Sequence, residues 1–297
     1  MDDEPPLVGD LFVSRDYATI RYAFPVTRAR GEDATLPAPP AVAAADATGE
    51  APAADAAAAA AAAAADGRFA ALVEQPVEAL EAAATDFDLT GQIVWLVSVV
   101  TAHYVAAEGW RDVAGRDVLE LGAGTALVGL VASRWAASVC LTDNEDEVLA
   151  LMRRNLRHVP PPCAGSVAPL SWGDAGDHAA LEAATGRARF PVLLGADIVY
   201  WSSAISPLIQ SVVRLLARPH EAPPGREPVF ILGYNNRVDS MHARLLAEAA
   251  AAGLAWRVVG WDWLDAASRE RYEQRGLRSM TLYRFTWVAP AGASASA

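Results

Sequence analysis

The sequence predicts an α/β fold, namely a Rossmann-like, doubly wound, seven-stranded and mostly parallel sheet with an N-terminal extension. Three observations support this prediction. Short apolar runs alternate with helical segments from about residue 86 onward, and such alternation implies a parallel sheet with helices on both faces. The run at residues 191–197 is almost continuously apolar, as is typical of a central parallel strand. A strand at residues 117–121 leads into a glycine-rich turn that opens a helix.

The periodicity of apolar residues assigns the individual elements in chain order. Helices are predicted at residues 91–105, 125–136, 145–156, 208–216 and 242–252. Strands are predicted at residues 117–121, 138–143, 167–170, 191–197, 229–232, 256–261 and 280–287.

The chain divides into four regions by composition. Residues 1–37 form an N-terminal extension with a strand or hairpin at residues 16–24, where Ile20, Tyr22 and Phe24 share one face. An insert of low complexity, rich in Ala and Pro, follows at residues 38–66. We expect the main domain at residues 67–290 and a flexible tail at residues 291–297.

Charge and composition exclude several classes of protein. The 297 residues include 36 acidic and 24 basic side chains, and the formal charge of −12 argues against a nucleic-acid partner. The charge is compatible with a basic partner, but solubility is the favoured explanation of the charge by itself. No apolar stretch is long enough to span a bilayer, and no secretory signal is recognisable. The two cysteines and five histidines show no metal-binding spacing, so no metal is predicted. We expect a soluble monomer in the cytoplasm, with the nucleus as the alternative.

The glycine-rich turn favours one class of nucleotide-like cofactor. Gly122 and Gly124 permit close backbone approach to a ligand, since neither carries a Cβ. The dinucleotide pattern needs a third glycine at position 127, which is Leu127 here. Glu120, just before the turn, suits a ligand with an ammonium group better than one with a pyrophosphate. S-adenosylmethionine has an ammonium and no phosphate, and the turn therefore predicts this cofactor.

Asp143 follows Gly122 by 21 residues, at the predicted carboxyl end of the second strand. A carboxylate at this place accepts hydrogen bonds from both ribose hydroxyls in nucleotide-binding folds. The alternative is a helix N-cap, with Asp143 or Asn144 starting the next helix. The order of strand, loop, helix, strand and acid favours the cofactor role.

Five segments together resemble the seven-β-strand (class I) protein-lysine methyltransferases of the methyltransferase-like family. In chain order they are TGQIVW, ELGAGTALVGL, VCLTDN, LSWGD and GADIVY. The resemblance covers roughly residues 88–290, and the D-x-x-Y pattern from Asp197 to Tyr200 is its most specific part. One departure is Leu96, where the family often has proline or aspartate after the early tryptophan.

The resemblance implies a role for nine residues. The cofactor-binding set places Trp95 over the pocket, Glu120, Gly122 and Gly124 around the methionine end, Asp143 at the ribose, Trp172 against adenine and Ala196 on the pocket floor. Asp197 and Tyr200 would face the transferring methyl group as the catalytic pair. The implied partner is a protein substrate with a lysine acceptor, such as a basic surface or a protein of the chaperone or translation type.

The chemistry of lysine methylation suggests how the catalytic pair would act. A lysine must lose a proton before it attacks, since its free pKa is about 10.4. A carboxylate favours the charged amine, so we expect Asp197 to orient the acceptor rather than to act as a strong base. Tyr200 and Trp201 would line the lysine channel, although helix capping for Asp197 and core packing for the two aromatics are the alternatives.

The sequence is also compatible with other functions. A small-molecule N- or O-methyltransferase and a non-catalytic cofactor-binding protein would share the same cofactor segments. Residues 234–237 after the fifth strand are weak candidates for acceptor contact. For Trp261 and Trp263, packing is favoured over a place at the rim of the site.

Overall fold

The computed structural model describes residues 17–25, 68–76 and 87–288. The strands form two sheets, a pair and a group of seven, and the seven-stranded sheet confirms the predicted fold class. The strands are β1 (Tyr17–Pro25), β2 (Arg68–Pro76), β3 (Asp117–Glu120), β4 (Ser138–Asp143), β5 (Ala164–Pro169), β6 (Val192–Ala196), β7 (Val229–Asn235), β8 (Leu254–Val259) and β9 (Met280–Trp287).

The seven-stranded sheet has the order β5-β4-β3-β6-β7-β9-β8. Its first five strands are parallel, whereas β9 is antiparallel to both of its neighbours. The strand β3 pairs with β4 on one side and β6 on the other, so the chain order reverses there. In open α/β sheets a crevice for ligands forms at the carboxyl ends of strands at such a reversal.

Helices cover both faces of this sheet. They are α1 (Leu96–Tyr104), α2 (Trp110–Val113), α3 (Leu127–Ala132), α4 (Asp146–Asn155), α5 (Ala175–Thr185), α6 (Ile205–Leu215), α7 (Asp239–Ala251) and α8 (Ala266–Glu273). Successive residues of a strand point to opposite faces, and the core accordingly has two halves. Val118 and Leu194 lie in the half beneath α1 and α3, while Leu119 and Leu193 lie in the half beneath α6.

Several element boundaries differ from the sequence prediction. The first helix begins at Leu96 rather than residue 91, because Trp95 before it is extended, with ψ of 152°. The helix after the glycine turn is shorter than predicted, since Ala126 has a left-handed backbone with φ of 66°. The third and sixth strands begin at Ala164 and Leu254, earlier than expected.

Three helices escaped prediction: α2 has only four residues, and few residues of α5 and α8 are apolar and buried. In α5 the buried residues are His178 and Leu181, and in α8 they are Ser268 and Tyr272. A helix with so narrow a buried stripe gives a weak periodic signal.

The strand predicted in the N-terminal extension is present as β1, and its antiparallel partner is β2. The two strands pair from Tyr17 with Pro76 to Pro25 with Arg68. The low-complexity insert therefore lies within the connection between two paired strands. The backbone of β2 in turn approaches α3 and α4, which joins this pair to the larger sheet. The proposed division into extension, insert and domain stays a prediction.

Candidate active site

The strands β3, β4 and β6 are adjacent and parallel, so their carboxyl ends meet at one edge of the sheet. A loop of residues 121–126 connects β3 to α3 at this edge. Gly122 and Gly124 have φ of 57° and 54°, in the left-handed region that glycine occupies without steric cost. The backbone of the loop therefore depends on glycine at both positions.

Gly122 brings three segments of the chain together. A Cβ at this position would lie 2.9 Å from Ile198 Cγ2 and 3.0 Å from Trp172 Cζ2. Ile198 follows β6, and Trp172 follows β5. The loop, the residue predicted to pack against adenine and the segment that carries Asp197 are thus neighbours.

Gly124 lies against Gly91, which the sequence prediction left out of the site although it assigned Trp95 of the same segment to it. A Cβ at this position would lie 2.9 Å from the carbonyl oxygen of Gly91. Four residues later, the partly buried Trp95 stands at the start of α1, and its indole Nε1 donates a hydrogen bond of 2.9 Å to the Thr90 carbonyl. Gly91 belongs to the TGQIVW segment, so that motif was the available signal for it.

Asp143 ends β4 and contacts the glycine loop directly. Its Oδ2 accepts a 3.1 Å hydrogen bond from the N–H of Gly124, and its Oδ1 accepts a 2.9 Å bond from the N–H of Asn144. Burial raises the pKa of the carboxyl, while these two hydrogen bonds act in the opposite direction. The N–H of Glu145 also acts on this carboxyl. A carboxylate has about four acceptor positions, so these backbone groups do not use all of them.

Glu120 is 3% exposed, and its Oε2 accepts a 2.8 Å hydrogen bond from the N–H of Gly129 in α3. Burial raises the pKa of this carboxyl to about 8. The side chain therefore fastens the start of α3 to the end of β3 and fixes the loop between them. Direct contact between Glu120 and the methionine end of a cofactor stays a prediction.

Trp172 and Ala196 complete the cofactor side of the site. Trp172 is partly buried, and the N–H of Gly173 next to it donates a 2.9 Å hydrogen bond to Ser211 Oγ in α6. His178 Nε2 is hydrogen-bonded to the same hydroxyl at 3.1 Å, so this segment is tied to the helix behind it. Ala196 is the last residue of β6 and pairs with Gly233 of β7.

Asp197 directly follows β6 and has an unusual backbone, with φ of 58°. Its N–H donates a 2.9 Å hydrogen bond to the carbonyl of Gly233, and the residue is 8% exposed. Its carboxylate forms two bonds of 2.7 Å with Arg237, from Nη1 to Oδ1 and from Nη2 to Oδ2. This bidentate partner was missed, although residues 234–237 were singled out by their position after a strand. The alternative prediction, that the Asp197 side chain caps a helix, is therefore wrong.

Two aromatic side chains beyond Asp197 point into solvent. Tyr200 is 41% exposed and Trp201 is 52% exposed, whereas Ile198 and Val199 between them and Asp197 are buried. The rings of Tyr200 and Trp201 meet edge to face, with centroids 5.9 Å apart. Core packing, the alternative interpretation of this pair, is therefore wrong.

The tryptophans of the segment after β8 behave differently. Trp263 is partly buried and packs edge to face against His103 and Tyr104 of α1, with centroid distances of 5.2 and 5.5 Å. Trp261 lies 6.1 Å from Trp263. These contacts support the packing interpretation for both residues.

Comparison with known proteins gives the site its family. A family model described as lysine methyltransferase matches residues 75–242, more than half of the chain. The chain belongs to this lysine methyltransferase family. The matched range of the lysine methyltransferase model includes the glycine loop, Asp143, Asp197 and Arg237.

Curated relatives align with part of this chain. Protein N-lysine methyltransferase METTL21A of Danio rerio is 34% identical over 125 residues, which cover 41% of this chain and 54% of the relative. EEF1A lysine methyltransferase 3 of Mus musculus is 31% identical over 127 residues, covering 43% and 51% respectively. The chain thus spans about half the length of the curated relatives it matches.

Solved structures with a similar backbone include two from microorganisms. A methyltransferase from Pyrococcus furiosus superposes with a TM-score of 0.41 at 13% identity, covering 60% of this chain and 77% of that one. The YcgJ protein of Bacillus subtilis superposes with a TM-score of 0.43 at 10% identity, covering 66% and 99% respectively.

Among the residues that the structure describes, no three His, Cys, Asp or Glu side chains gather in a way that could hold a metal ion. Within the same three ranges, no helix has the length and apolar character needed to cross a membrane. Both cysteines, Cys140 and Cys163, are free thiols.

Proposed function

We propose that this protein transfers a methyl group from S-adenosylmethionine to the side-chain amine of a lysine in a protein substrate. The observation that carries the proposal is the convergence of two half-sites at one edge of the sheet. The glycine loop with Asp143 forms the cofactor half, and Asp197 with the exposed Tyr200 forms the acceptor half. The lysine methyltransferase family supports the reaction, and the two relatives named above support a protein acceptor.

The cofactor half fits S-adenosylmethionine in shape and chemistry. Because Gly122 has no Cβ, the space between it and Trp172 is unfilled. The aromatic ring of Trp172 therefore lies next to the backbone of the glycine loop. The acceptor positions of Asp143 that the backbone N–H groups leave unused suit hydrogen bonds from ribose hydroxyls. The buried Glu120 places a carboxyl group behind the loop, where an ammonium would stabilise its ionised form. Trp95 and Ala196 would complete the walls of the pocket.

The acceptor half suits a primary amine. When bound, S-adenosylmethionine supplies a methyl group on a sulfonium, which an attacking nucleophile displaces. Asp197 would accept a hydrogen bond from the lysine nitrogen and hold it in line, because alignment is the main catalytic contribution in such a displacement. Tyr200 and Trp201 would enclose the aliphatic part of the lysine, exclude water and make cation–π contact with the methylated product.

A basic protein surface is the proposed partner, of the chaperone or translation type. Acidic side chains are concentrated at the carboxyl edge of the sheet, on the segments that follow β4, β5, β6 and β7. Besides Asp197, which is paired with Arg237, they are Asp143, Glu145, Asp146, Glu147, Asp174, Asp177 and Asp239. A lysine-rich surface would be attracted to this edge, whereas a phosphate backbone or an anionic membrane would be repelled. We further propose a monomer that works in the cytoplasm or the nucleus, where its two free thiols would persist.

The proposal is tested with methyl-labelled S-adenosylmethionine and a soluble cell extract. We expect label on the lysines of one or a few extract proteins. Label confined to small molecules would point to a small-molecule methyltransferase, and no transfer at all would point to a non-catalytic protein. The chain offers its own internal control, because all 24 of its basic residues are arginines. Label on the enzyme itself therefore cannot be methyl-lysine.

Two isosteric variants separate the half-sites. Asp143→Asn removes the charge that would hold the ribose, and we expect cofactor affinity to fall by tenfold or more, since hydrogen bonds to a charged group contribute about 1.5–3 kcal/mol. Asp197→Asn tolerates the left-handed backbone and should bind cofactor normally while losing most turnover. Calorimetry of cofactor binding, together with label incorporation, checks both. Unchanged affinity in the first variant, or unchanged turnover in the second, contradicts the corresponding role.

A further inference from the structure

Arg237 is the residue of the acceptor half that the resemblance did not include. It lies in the loop between β7 and α7, and its guanidinium binds both oxygens of Asp197 at 2.7 Å. The side chain of Arg237 is 40% exposed, whereas that of Asp197 is 5% exposed. The hydrogen bonds from Arg237 therefore hold the buried carboxylate of Asp197 in place directly after β6.

The loop that presents Arg237 is held on both sides. The N–H of Asn236 donates a 2.8 Å hydrogen bond to the Ser279 carbonyl, and Asn236 Nδ2 donates a 2.8 Å bond to Asp239 Oδ1. The N–H of Asp197 in turn donates to the carbonyl of Gly233 in β7. Hydrogen bonds thus anchor the backbone of Asp197 and of the residue before Arg237.

In the described part of the chain, the ionisable groups that act on Arg237 besides Asp197 are phenols. Tyr234 of β7 and Tyr200 beyond β6 lie within electrostatic range of Arg237, and Asp239 acts on Tyr234. Phenols carry no charge near neutral pH, so they leave the balance within the pair intact. The hydrogen bonds with Asp197 raise the pKa of Arg237, which keeps the guanidinium charged.

The requirement of the proposed reaction gives this pair a purpose. A lysine attacks only as the neutral amine, yet an isolated carboxylate beside it would favour the ammonium form. A carboxylate that is already neutralised by a guanidinium still accepts a hydrogen bond from the amine at its remaining acceptor positions. It no longer opposes the loss of the proton to the same extent.

We infer that Arg237 is a positioning residue that neutralises and orients Asp197, so that the acceptor lysine is held by the carboxylate and still loses its proton. This inference rests on the proposed lysine methyltransferase function. Arg237 itself does not touch the methyl group or take up the proton, which leaves to solvent.

The test is the pH profile of kcat, measured with the protein that the wild type labels in the extract, purified and used at saturation. The kcat profile reports ionisations in the enzyme–acceptor complex, whereas kcat/KM reports those of the free species. For Arg237→Gln we expect the acid limb of kcat to move up by about one pH unit, since removing a neighbouring charge shifts a pKa by 1–3 units in a protected site. At pH values well below the limb this gives about a tenfold loss of kcat, and the loss disappears at pH values above the shifted limb. The acid limb of kcat/KM should stay in place.

Two further variants separate electrostatics from structure. Arg237→Lys keeps the charge and should retain the wild-type acid limb; intact mass checks that this single lysine is not itself methylated. Arg244→Gln removes an equal charge from α7, where Arg244 pairs with Glu248. This variant should also retain the wild-type acid limb of kcat. Cofactor binding by calorimetry should be unchanged in all three variants.

The outcomes are distinct. A kcat that is unchanged in Arg237→Gln, or lowered by the same factor at every pH, overturns the positioning role while the wild-type activity stands. A wild type that labels no protein overturns the proposed function itself, and the inference with it.

Discussion

Glu120 offers a prediction that connects burial with stability. The side chain is 3% exposed, and burial raises its pKa from 4.5 to about 8; the charge of Asp143 adds to the rise, and the Gly129 hydrogen bond opposes it. Between these two pH values the folded protein holds a proton that the unfolded chain has released. The folded state therefore binds more protons, and the free energy of unfolding decreases as pH rises from about 4.5 to about 8.

The size of this effect follows from the shift. One pKa unit corresponds to 1.36 kcal/mol, so the whole shift corresponds to roughly 5 kcal/mol as an upper bound. Glu120→Gln removes the ionisation and keeps an amide oxygen that accepts the N–H of Gly129. We expect the variant to match the wild type in stability at pH 5 and to exceed it by about 2–5 kcal/mol at pH 8.5.

Urea unfolding of the cofactor-free protein at pH 5, 6, 7 and 8.5 measures this difference. Glu147→Gln is the matched control, since Glu147 loses the same charge from an exposed position in the first turn of α4. The control should differ from the wild type by a constant amount across the series. If the stability of Glu120→Gln also runs parallel to that of the wild type, the buried carboxyl does not titrate as its surroundings imply, and the reasoning fails.

Three further predictions test other contacts. Gly124→Ala should lower the melting temperature more than Gly115→Ala, because both have positive φ (54° and 67°) but only the first Cβ meets backbone, whereas the second meets nothing within 4 Å. Thermal melts should give a cost of about 1–2 kcal/mol for Gly115→Ala and more for Gly124→Ala. Asp112→Ala leaves Arg284 without its bidentate partner and should cost about 3 kcal/mol in urea unfolding. Trp201→Ala should leave stability within about 0.5 kcal/mol, since the ring is exposed, and should raise KM for the protein acceptor without changing cofactor affinity.

The central half of the molecule was accessible from the sequence because its signals are local. A continuous apolar run such as β6 is buried on both faces and has to be a central strand. Gly122 and Gly124 indicate a turn that needs positive φ, and both residues have positive φ in the structure. Once the strands are parallel and adjacent, the residues that end β4 and β6 must meet at one edge. With that strand arrangement, Asp143 and Asp197 lie at the same edge.

The partners of these residues depend on tertiary structure. Arg237 follows Asp197 by 40 residues, and no periodicity indicates that its guanidinium turns back onto that carboxylate. The approach of Gly91 to Gly124 likewise depends on how the segment before α1 crosses the loop. Pairing of β1 with β2 across residues 26–67 is equally invisible to local patterns.

The sequence by itself determined the order of strands and helices, the glycine loop and the two acids at the carboxyl edge, because strand burial and positive φ leave local traces in residue type. Only the tertiary structure decided what those acids contact. The buried Glu120 accepts a hydrogen bond from the N–H of Gly129, and Asp197 pairs with the guanidinium of Arg237. Hydrogen bonds between residues that are distant in sequence depend on distances and angles set by the packed sheet. These contacts determine the charge around a lysine that binds at Asp197.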